Sequence, residues 1–204
     1  MEKNYFSKHE FEVLSDKDFF YTKRAVNEKL IALLEVTQRK ISEYISSSGF
    51  PFPEECHRKK GKISKGENYN MLPWFMLDYP AFFTQKDIFA FRTMFWWGEC
   101  FSCTFLMSGE WMKKFQICFK KNYSMLSGTG IYFCVNESPW EHHFGENNYK
   151  LLESLNPEFV FKQIEKAGFL KLSIKIKLEE YEEVPDKAVG FVGKMLGVLE
   201  GKYI

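Results

Sequence analysis

Apolar side chains recur every three or four positions between residues 15 and 48, which is the spacing of one face of an α-helix. The recurring positions are Val26, Leu30, Leu33, Thr37, Ile41 and Tyr44. Ser15 precedes two aspartates and suits an N-cap, and a run of three serines followed by Gly49 suits a helix end. The pattern therefore predicts one long helix from about Asp16 to Ser47.

The middle of the chain consists of short apolar runs separated by turn residues, a pattern typical of β-strands. These runs cover residues 71–77, 88–97, 100–107 and 131–135. Pro73 and Pro80 cannot donate ladder hydrogen bonds, so we expect the first strand to lie at a sheet edge or to carry a bulge. Residues 111–121 fit a strand through Phe115, Ile117 and Phe119 and also fit a helix; we favour the strand.

The last third of the chain carries clear element boundaries. Asn156 followed by a proline predicts a helix over residues 157–167, with Gly168 as its C-terminal cap. Residues 170–178 alternate apolar side chains with lysine and serine, which predicts a strand with one core face and one solvated face. Pro185 opens a final helix, whose shared apolar face is formed by Ala188, Phe191, Val192, Met195 and Leu199.

These elements predict an α+β fold. We expect one mostly antiparallel, aromatic-rich sheet of about five or six strands, with the long N-terminal helix and the C-terminal helix packed on one of its faces. Residues 1–204 are expected to form a single domain, since 204 residues are few for two domains.

The amino-acid composition excludes some classes of partner but does not identify a particular partner. Aromatic residues make up 18% of the chain, enough to leave some on a binding surface. The formal net charge of +1 gives no global attraction to nucleic acid or to an anionic membrane. Five cysteines, an odd number, and a start without an apolar leader favour a cytoplasmic protein with reduced thiols. No membrane-spanning segment and no cofactor are predicted.

A long surface loop is predicted at about residues 50–70, because this stretch is rich in proline, glycine and charge. Its candidate ligand-binding side chains are Arg58, Lys59, Lys60, Lys62 and Lys65, followed by the aromatic residues Tyr69 and Trp74. Cations beside aromatic rings suit a phosphate, a nucleotide or a single nucleic-acid strand. Because the overall charge is near neutral, the favoured interpretation of this segment alone is a solvated loop balanced by the acidic stretch 179–186. We expect residues 57–65 to be exposed, more mobile than the sheet, and close enough to Arg92 and Trp74 to border a cleft.

Arg92 lies within an apolar strand and therefore needs a partner for its charge. Asp78, Glu99 and Glu110 are the internal candidates. An ion pair within the sheet is the simpler interpretation of this arginine. The other is an anion-binding residue on the floor of an aromatic cleft.

Two further groups of residues could ligate a metal ion. Glu141, His142, His143 and Glu146 bring imidazoles and carboxylates together, although adjacent histidines on an extended chain diverge. Cys100 and Cys103 have the spacing of a metal pair, but on a strand they would point to opposite faces. A polar loop and ordinary core cysteines are the favoured interpretations.

The sequence supports three functional hypotheses in descending order. The first is binding of an anionic small molecule, favoured over a nucleic-acid segment, through the basic loop and the aromatic sheet. The second is an interaction protein that forms a homodimer or a partner complex through exposed aromatic residues. The third is a metal-dependent hydrolase. The chain contains no P-loop, dinucleotide-binding fingerprint or nucleophile elbow, which removes the commonest recognisable enzymes.

Overall fold

The computed structural model describes residues 5–56 and 58–201. Its α-helices are α1 (Lys8–Ser15), α2 (Lys17–Ser48), α3 (Glu110–Asn122), α4 (Pro157–Ala167) and α5 (Val184–Glu200). Its strands are β1 (Lys62–Tyr69), β2 (Leu72–Phe83), β3 (Ile88–Trp96), β4 (Cys100–Ser108), β5 (Tyr132–Cys134), β6 (Tyr149–Leu151) and β7 (Phe169–Ile176).

The seven strands form one antiparallel sheet in the order β1-β2-β3-β4-β7-β5-β6. The predicted α+β fold is confirmed, with seven strands where about five or six were expected. No helix among the described residues is both long and apolar enough to cross a membrane.

Both long helices pack on the same face of this sheet, as predicted. Leu34 of α2 and Phe191 of α5 join Phe89, Phe91 and Phe105 of the sheet in one core cluster. The apolar face predicted for the C-terminal helix is buried throughout. We call this side of the sheet the helix face and the opposite side the open face.

The prediction of a strand over residues 111–121 is wrong, because the structure has helix α3 there. Met112, Phe115 and Phe119 are its buried residues, and they recur at helical spacing. Ile117, which completes the alternating pattern of a strand, is 74% exposed. The alternating positions therefore do not mark a buried strand face, and burial follows the helical spacing of Met112, Phe115 and Phe119.

The predicted loop at residues 50–70 is irregular only in its first part, because residues 62–69 form strand β1. The pattern gives no sign of this strand, since Ile63 is its only aliphatic residue and β1 gains its stability from the ladder to β2. His57, the first residue of the basic run, lies outside the described residues.

Strand β2 lies inside the sheet, so the bulge is the alternative that the structure bears out. Its register against β3 shifts between Asp78 and Ala81, around Pro80. The bulge accommodates a proline that cannot donate to a ladder.

Candidate functional site

A row of polar side chains crosses the open face of the sheet. Successive strand registers pair Lys62 with Asp78, Asp78 with Arg92, and Arg92 with Thr104. Thr104 in turn pairs with Ser173, and Ser173 with Tyr132. We call these six residues, one from each of six neighbouring strands, the polar row. With about 4.8 Å between strands, the row spans roughly 24 Å.

The centre of the polar row is an ion pair between Arg92 and Asp78. Arg92 Nε and Nη2 donate to the two carboxylate oxygens of Asp78 at 2.7 Å and 3.1 Å. The two side chains are only 14% and 12% exposed. Of the three acids that the sequence offered to Arg92, the structure selects Asp78, because the register places it directly opposite.

The segment of residues 135–148, which joins β5 to β6, lies over the polar row. We call it the strap. The Tyr69 hydroxyl accepts hydrogen bonds from the backbone N–H groups of His142 and His143 at 2.6 Å and 3.0 Å, and it donates to Glu141 Oε2 at 3.0 Å. Tyr69, which we predicted to bind a ligand, therefore ties the strap to the sheet.

His142 of the strap contacts the guanidinium directly. Arg92 Nη1 lies 3.3 Å from His142 Nε2, and since arginine can only donate, this imidazole nitrogen must accept. Burial, together with the positive charges of Lys171 and Arg92, lowers the pKa of His142 to about 2. His142 is therefore a neutral imidazole throughout the physiological pH range.

Lys171 is buried beneath the strap, which corrects the prediction of a solvated face for β7. Lys171 is 1% exposed and Ser173 is fully buried. Lys171 Nζ donates to the Glu141 carbonyl oxygen and lies 5.0 Å from the centre of the Tyr149 ring. Burial lowers the pKa of the Lys171 amine to about 8. The alternating pattern was correct for the strand but could not reveal that another segment covers its polar side.

Hydroxyl groups occupy the inner end of the polar row. Thr104 Oγ1 and Ser173 Oγ are 2.9 Å apart, and Ser173 Oγ also donates to the Cys103 carbonyl oxygen. The Tyr149 side chain packs beside them, and burial raises the pKa of its hydroxyl. Burial likewise raises the pKa of the nearby Cys134 thiol. Neither group is an activated nucleophile, because both are held in their neutral forms.

The outer end of the polar row opens into a cleft of about 450 Å³. Its lining residues are Lys60, Lys62, Asp78, Ala81, Phe83, Arg92 and Trp140. The rings of Phe83 and Trp140 lie 6.5 Å apart, and the Arg92 guanidinium lies 5.9 Å from the centre of the Phe83 ring. Phe83 and Trp140 are 40% and 50% exposed, so a bound molecule could contact both rings.

The cleft contains three of the eight residues that we predicted to bind a ligand: Lys60, Lys62 and Arg92. The basic residues from Arg58 to Lys65 are exposed, as expected. Lys65, however, lines a different pocket, and Lys59 lines neither one.

The remaining predicted residues have structural contacts. The Arg58 guanidinium lies 5.7 Å from the centre of the Phe52 ring. Its carbonyl oxygen accepts a hydrogen bond from the Tyr79 hydroxyl. Trp74 fills the space above Gly66, where an added Cβ would lie 2.6 Å from the indole. The cleft therefore involves the basic segment and Arg92 but not Trp74.

The four metal-ligand candidates do not converge on one point. His142 faces Arg92, and the Glu141 carboxylate accepts from Tyr69, with His143 Nε2 4.0 Å away. Glu146 is exposed on the strap. Across residues 5–56 and 58–201, no group of three or more histidine, cysteine, aspartate or glutamate side chains is placed to hold a metal ion. Cys100 and Cys103 are both buried and free.

Sequence reasoning missed Phe83, Trp140 and Lys171 as parts of this site. Trp140 directly precedes the polar group Glu141–His143, and this aromatic residue beside a polar group was the one local sign. Phe83 and Lys171 gave no local sign, because their roles depend on the β2 bulge and on the strap.

A scan against protein-family models and searches of curated proteins and of solved structures found no match for this chain.

Proposed function

We propose that the protein binds an anionic small molecule carrying a planar ring, in the cleft at the outer end of the polar row. The observation that carries this proposal is the placement of Lys60, Lys62 and Arg92 in one cleft with the exposed rings of Phe83 and Trp140. Lysine and arginine recognise carboxylates and phosphates, and aromatic side chains stack on planar groups.

The charges of the cleft favour an anion. Asp78 is the only acid in the lining, and both of its oxygens are engaged by Arg92. Lys60 and Lys62 form no ion pair with another described residue, so their ammonium groups are available to a ligand. Three cations against one carboxylate leave an excess of positive charge where the ligand would lie.

The size of the cleft favours a small molecule over a nucleic-acid strand. A volume of about 450 Å³ lies within the range of about 300–1,000 Å³ typical of small-molecule sites. A single nucleic-acid strand needs a longer basic groove that follows several phosphates. The ligand classes that fit are aromatic carboxylates, aryl phosphates and nucleoside monophosphates.

A thermal-shift screen tests this function. The probes are benzoate, phenyl phosphate, adenosine monophosphate, inorganic phosphate and a ten-nucleotide single-stranded DNA. A ligand present at 100 times its Kd stabilises the folded state by about 2.7 kcal/mol, which raises the Tm of a protein of this size by roughly 5–10 °C. We expect a shift of this kind from a ring-bearing anion and a smaller one from inorganic phosphate.

Two charge reversals provide the matched comparison. Lys62→Glu removes a cation from the cleft, and Lys59→Glu makes the same change just outside it. Lys62→Glu should abolish the shift and Lys59→Glu should retain it. An equal loss in both variants, or no shift with any probe, would contradict the proposal, and a shift with the oligonucleotide alone would favour the nucleic-acid alternative.

A second candidate function is self-association through the N-terminal helices. Helix α1 has no buried residue, and the first buried residue of α2 is Leu30. The large apolar side chains exposed between residues 5 and 21 are Tyr5 (76%), Phe6 (59%), Phe11 (64%), Val13 (43%), Leu14 (56%), Phe19 (48%), Phe20 (49%) and Tyr21 (67%). An exposed apolar surface of this extent is typical of an interaction site.

The oligomeric state tests this second function. We expect a homodimer by light scattering and a monomer after the double substitution Phe11→Ser and Leu14→Ser. Neither residue is buried within the chain, so the substitutions should not destabilise the monomer itself. The variant should have the Tm that the wild type shows when it is diluted enough to be monomeric. A wild-type monomer across a wide concentration range would count against self-association.

A further inference from the structure

The first strand of the sheet has an open side. Strand β1 stands at the end of the strand order, and within the described residues only β2 pairs with it. In an antiparallel ladder, alternate residues direct both backbone groups toward the same neighbour. An edge strand therefore offers unpaired N–H and C=O groups along its outer side.

The structure identifies which residues of β1 face outward. The Pro73 carbonyl accepts from the Trp97 N–H, so the backbone groups of Pro73 and Phe75 point toward β3. By alternation those of Trp74 and Met76 point toward β1, where the register pairs Met76 with Ser64. Ile63 and Lys65 therefore direct their backbone groups away from the sheet. Gly61, two residues before Ile63, also donates outward, to Gln38 Oε1 at 3.1 Å.

A groove of about 480 Å³ lies beside this edge, between β1 and helix α2. Ile31 of α2, Ile63 and Phe75 supply its apolar wall, and Glu35 and Lys65 supply polar groups. The apolar side chains of the groove lie on the helix face, whereas the proposed ligand cleft lies on the open face; Lys60, at the sheet edge, lines both. It is wide enough to take side chains from an added strand, whose alternate residues would point toward it.

The charge of the edge specifies the partner further. From Arg58 to Gly66 the chain carries five cations and no acid. Lys59, Lys60 and Lys65 form no ion pair with another described residue, while Glu67 beyond them is paired with Lys23 at 2.9 Å. Lysines on an edge strand repel other basic strands, resist pairing with apolar strands that would desolvate them, and attract an acidic segment. Glu35 is the one acid in the groove lining, against Lys60 and Lys65.

We propose that β1 and the groove beside α2 bind an extended acidic peptide of a partner protein. The peptide adds a strand to the sheet by pairing with the outward backbone groups of Ile63 and Lys65. One of its apolar side chains packs against Ile31, Ile63 and Phe75, and its acids lie near Lys60 and Lys65. This is strand addition, in which the backbone provides affinity and the groove and charges provide specificity.

Fluorescence anisotropy with a labelled eight-residue peptide tests the proposal. In this peptide threonines alternate with valine and glutamate in turn, so that valine and glutamate share the side that meets Ile63 and Lys65. The first control peptide has the same sequence with N-methylated valines, which cannot pair as a strand on that side. The second control peptide replaces each glutamate with lysine. We expect saturable binding of the first peptide, at least about tenfold weaker binding of the N-methylated form, and none of the lysine form.

Two protein variants complete the experiment. Lys65→Glu reverses a charge in the groove, and Lys59→Glu makes the same change outside it. Both side chains are exposed, so both variants should keep the wild-type Tm. Lys65→Glu should weaken binding at least tenfold more than Lys59→Glu. The proposal would be overturned by equal effects of the two substitutions, by equal affinity for the N-methylated peptide, or by no binding at millimolar peptide. In that case the lysines would serve only to prevent edge-to-edge aggregation.

Discussion

Acidification from pH 7 to pH 5 should destabilise the folded protein through His142. Burial and the neighbouring charges of Lys171, Arg92 and His143 lower the pKa of this imidazole to about 2. In the unfolded chain an ordinary histidine has a pKa of about 6.5. Between these two values the unfolded state binds a proton that the folded state does not, so stability is lost as the pH falls.

The size of the loss follows from this linkage. Each pH unit well below 6.5 costs about 1.4 kcal/mol of unfolding free energy, which sums to about 2 kcal/mol between pH 7 and pH 5. The sum depends on the unfolded pKa alone, as long as the folded pKa lies far below 5. Protonation would also break the bond from Arg92 Nη1 to His142 Nε2 and place a third cation beside Arg92 and Lys171.

Chemical denaturation at pH 7, 6 and 5 measures this effect. His142→Gln serves as the reference, because its amide oxygen can accept from Arg92 but cannot titrate. The stability of the wild type relative to this variant should fall by about 2 kcal/mol from pH 7 to pH 5, since the carboxylates contribute equally to both proteins. His9→Gln, at a histidine whose side chain is 86% exposed, should follow the wild type. Parallel pH profiles for the wild type and His142→Gln would refute the reasoning.

Three further predictions concern single positions. Burial lowers the pKa of Lys171 to about 8, so between pH 8 and pH 10.5 the unfolded chain binds a proton that the folded protein does not. The unfolding free energy of the wild type should therefore rise by up to about 3 kcal/mol relative to Lys171→Met over this range, as measured by denaturation at each pH. A difference that does not change with pH would contradict this. Gly109→Ala should lower the unfolding free energy by more than about 2 kcal/mol, because φ is +63° and the new Cβ would lie 2.1 Å from Asp87 Oδ1. Gly128→Ala, where φ is also positive but no atom lies within 4 Å of the new Cβ, should lower it by about 1 kcal/mol in the same unfolding assay. Asn156→Ala should lower the unfolding free energy by about 1 kcal/mol through loss of the N-cap of α4, and an unchanged Tm would argue against the cap.

Local chemistry made helices α2, α4 and α5 predictable. Helix α4 begins and ends at the predicted residues, because its signals are short-range: the Asn156 side chain accepts from the Glu158 N–H, and Gly168 adopts a left-handed conformation. Helix α3 was missed because its apolar residues fit both the two-residue repeat of a strand and the repeat of three to four residues of a helix. Only packing against α5 and β4 separates those periods, and packing is not a local property.

The candidate site was predictable only in fragments. Arg92 attracted attention because a charge in an apolar strand needs a partner, and the basic residues Lys60 and Lys62 stood out by composition. Their convergence depends on β1, a strand without an apolar pattern, and on three successive registers. The cover over Lys171 depends on the path of the strap. Neither a register nor a loop path is encoded in the spacing of neighbouring residues.

The polar row also fixes the register of the strands in the sheet. Apolar strands such as β3 and β4 are rich in similar residues, so several offsets between them would bury nearly the same area. A slip by one residue would turn Arg92 toward the helix face, among Phe105 and Phe191 of the apolar core and away from Asp78. A slip by two residues would keep the faces but separate Arg92 from Asp78. The six polar residues thus make one alignment of otherwise interchangeable aromatic strands far more favourable than its neighbours.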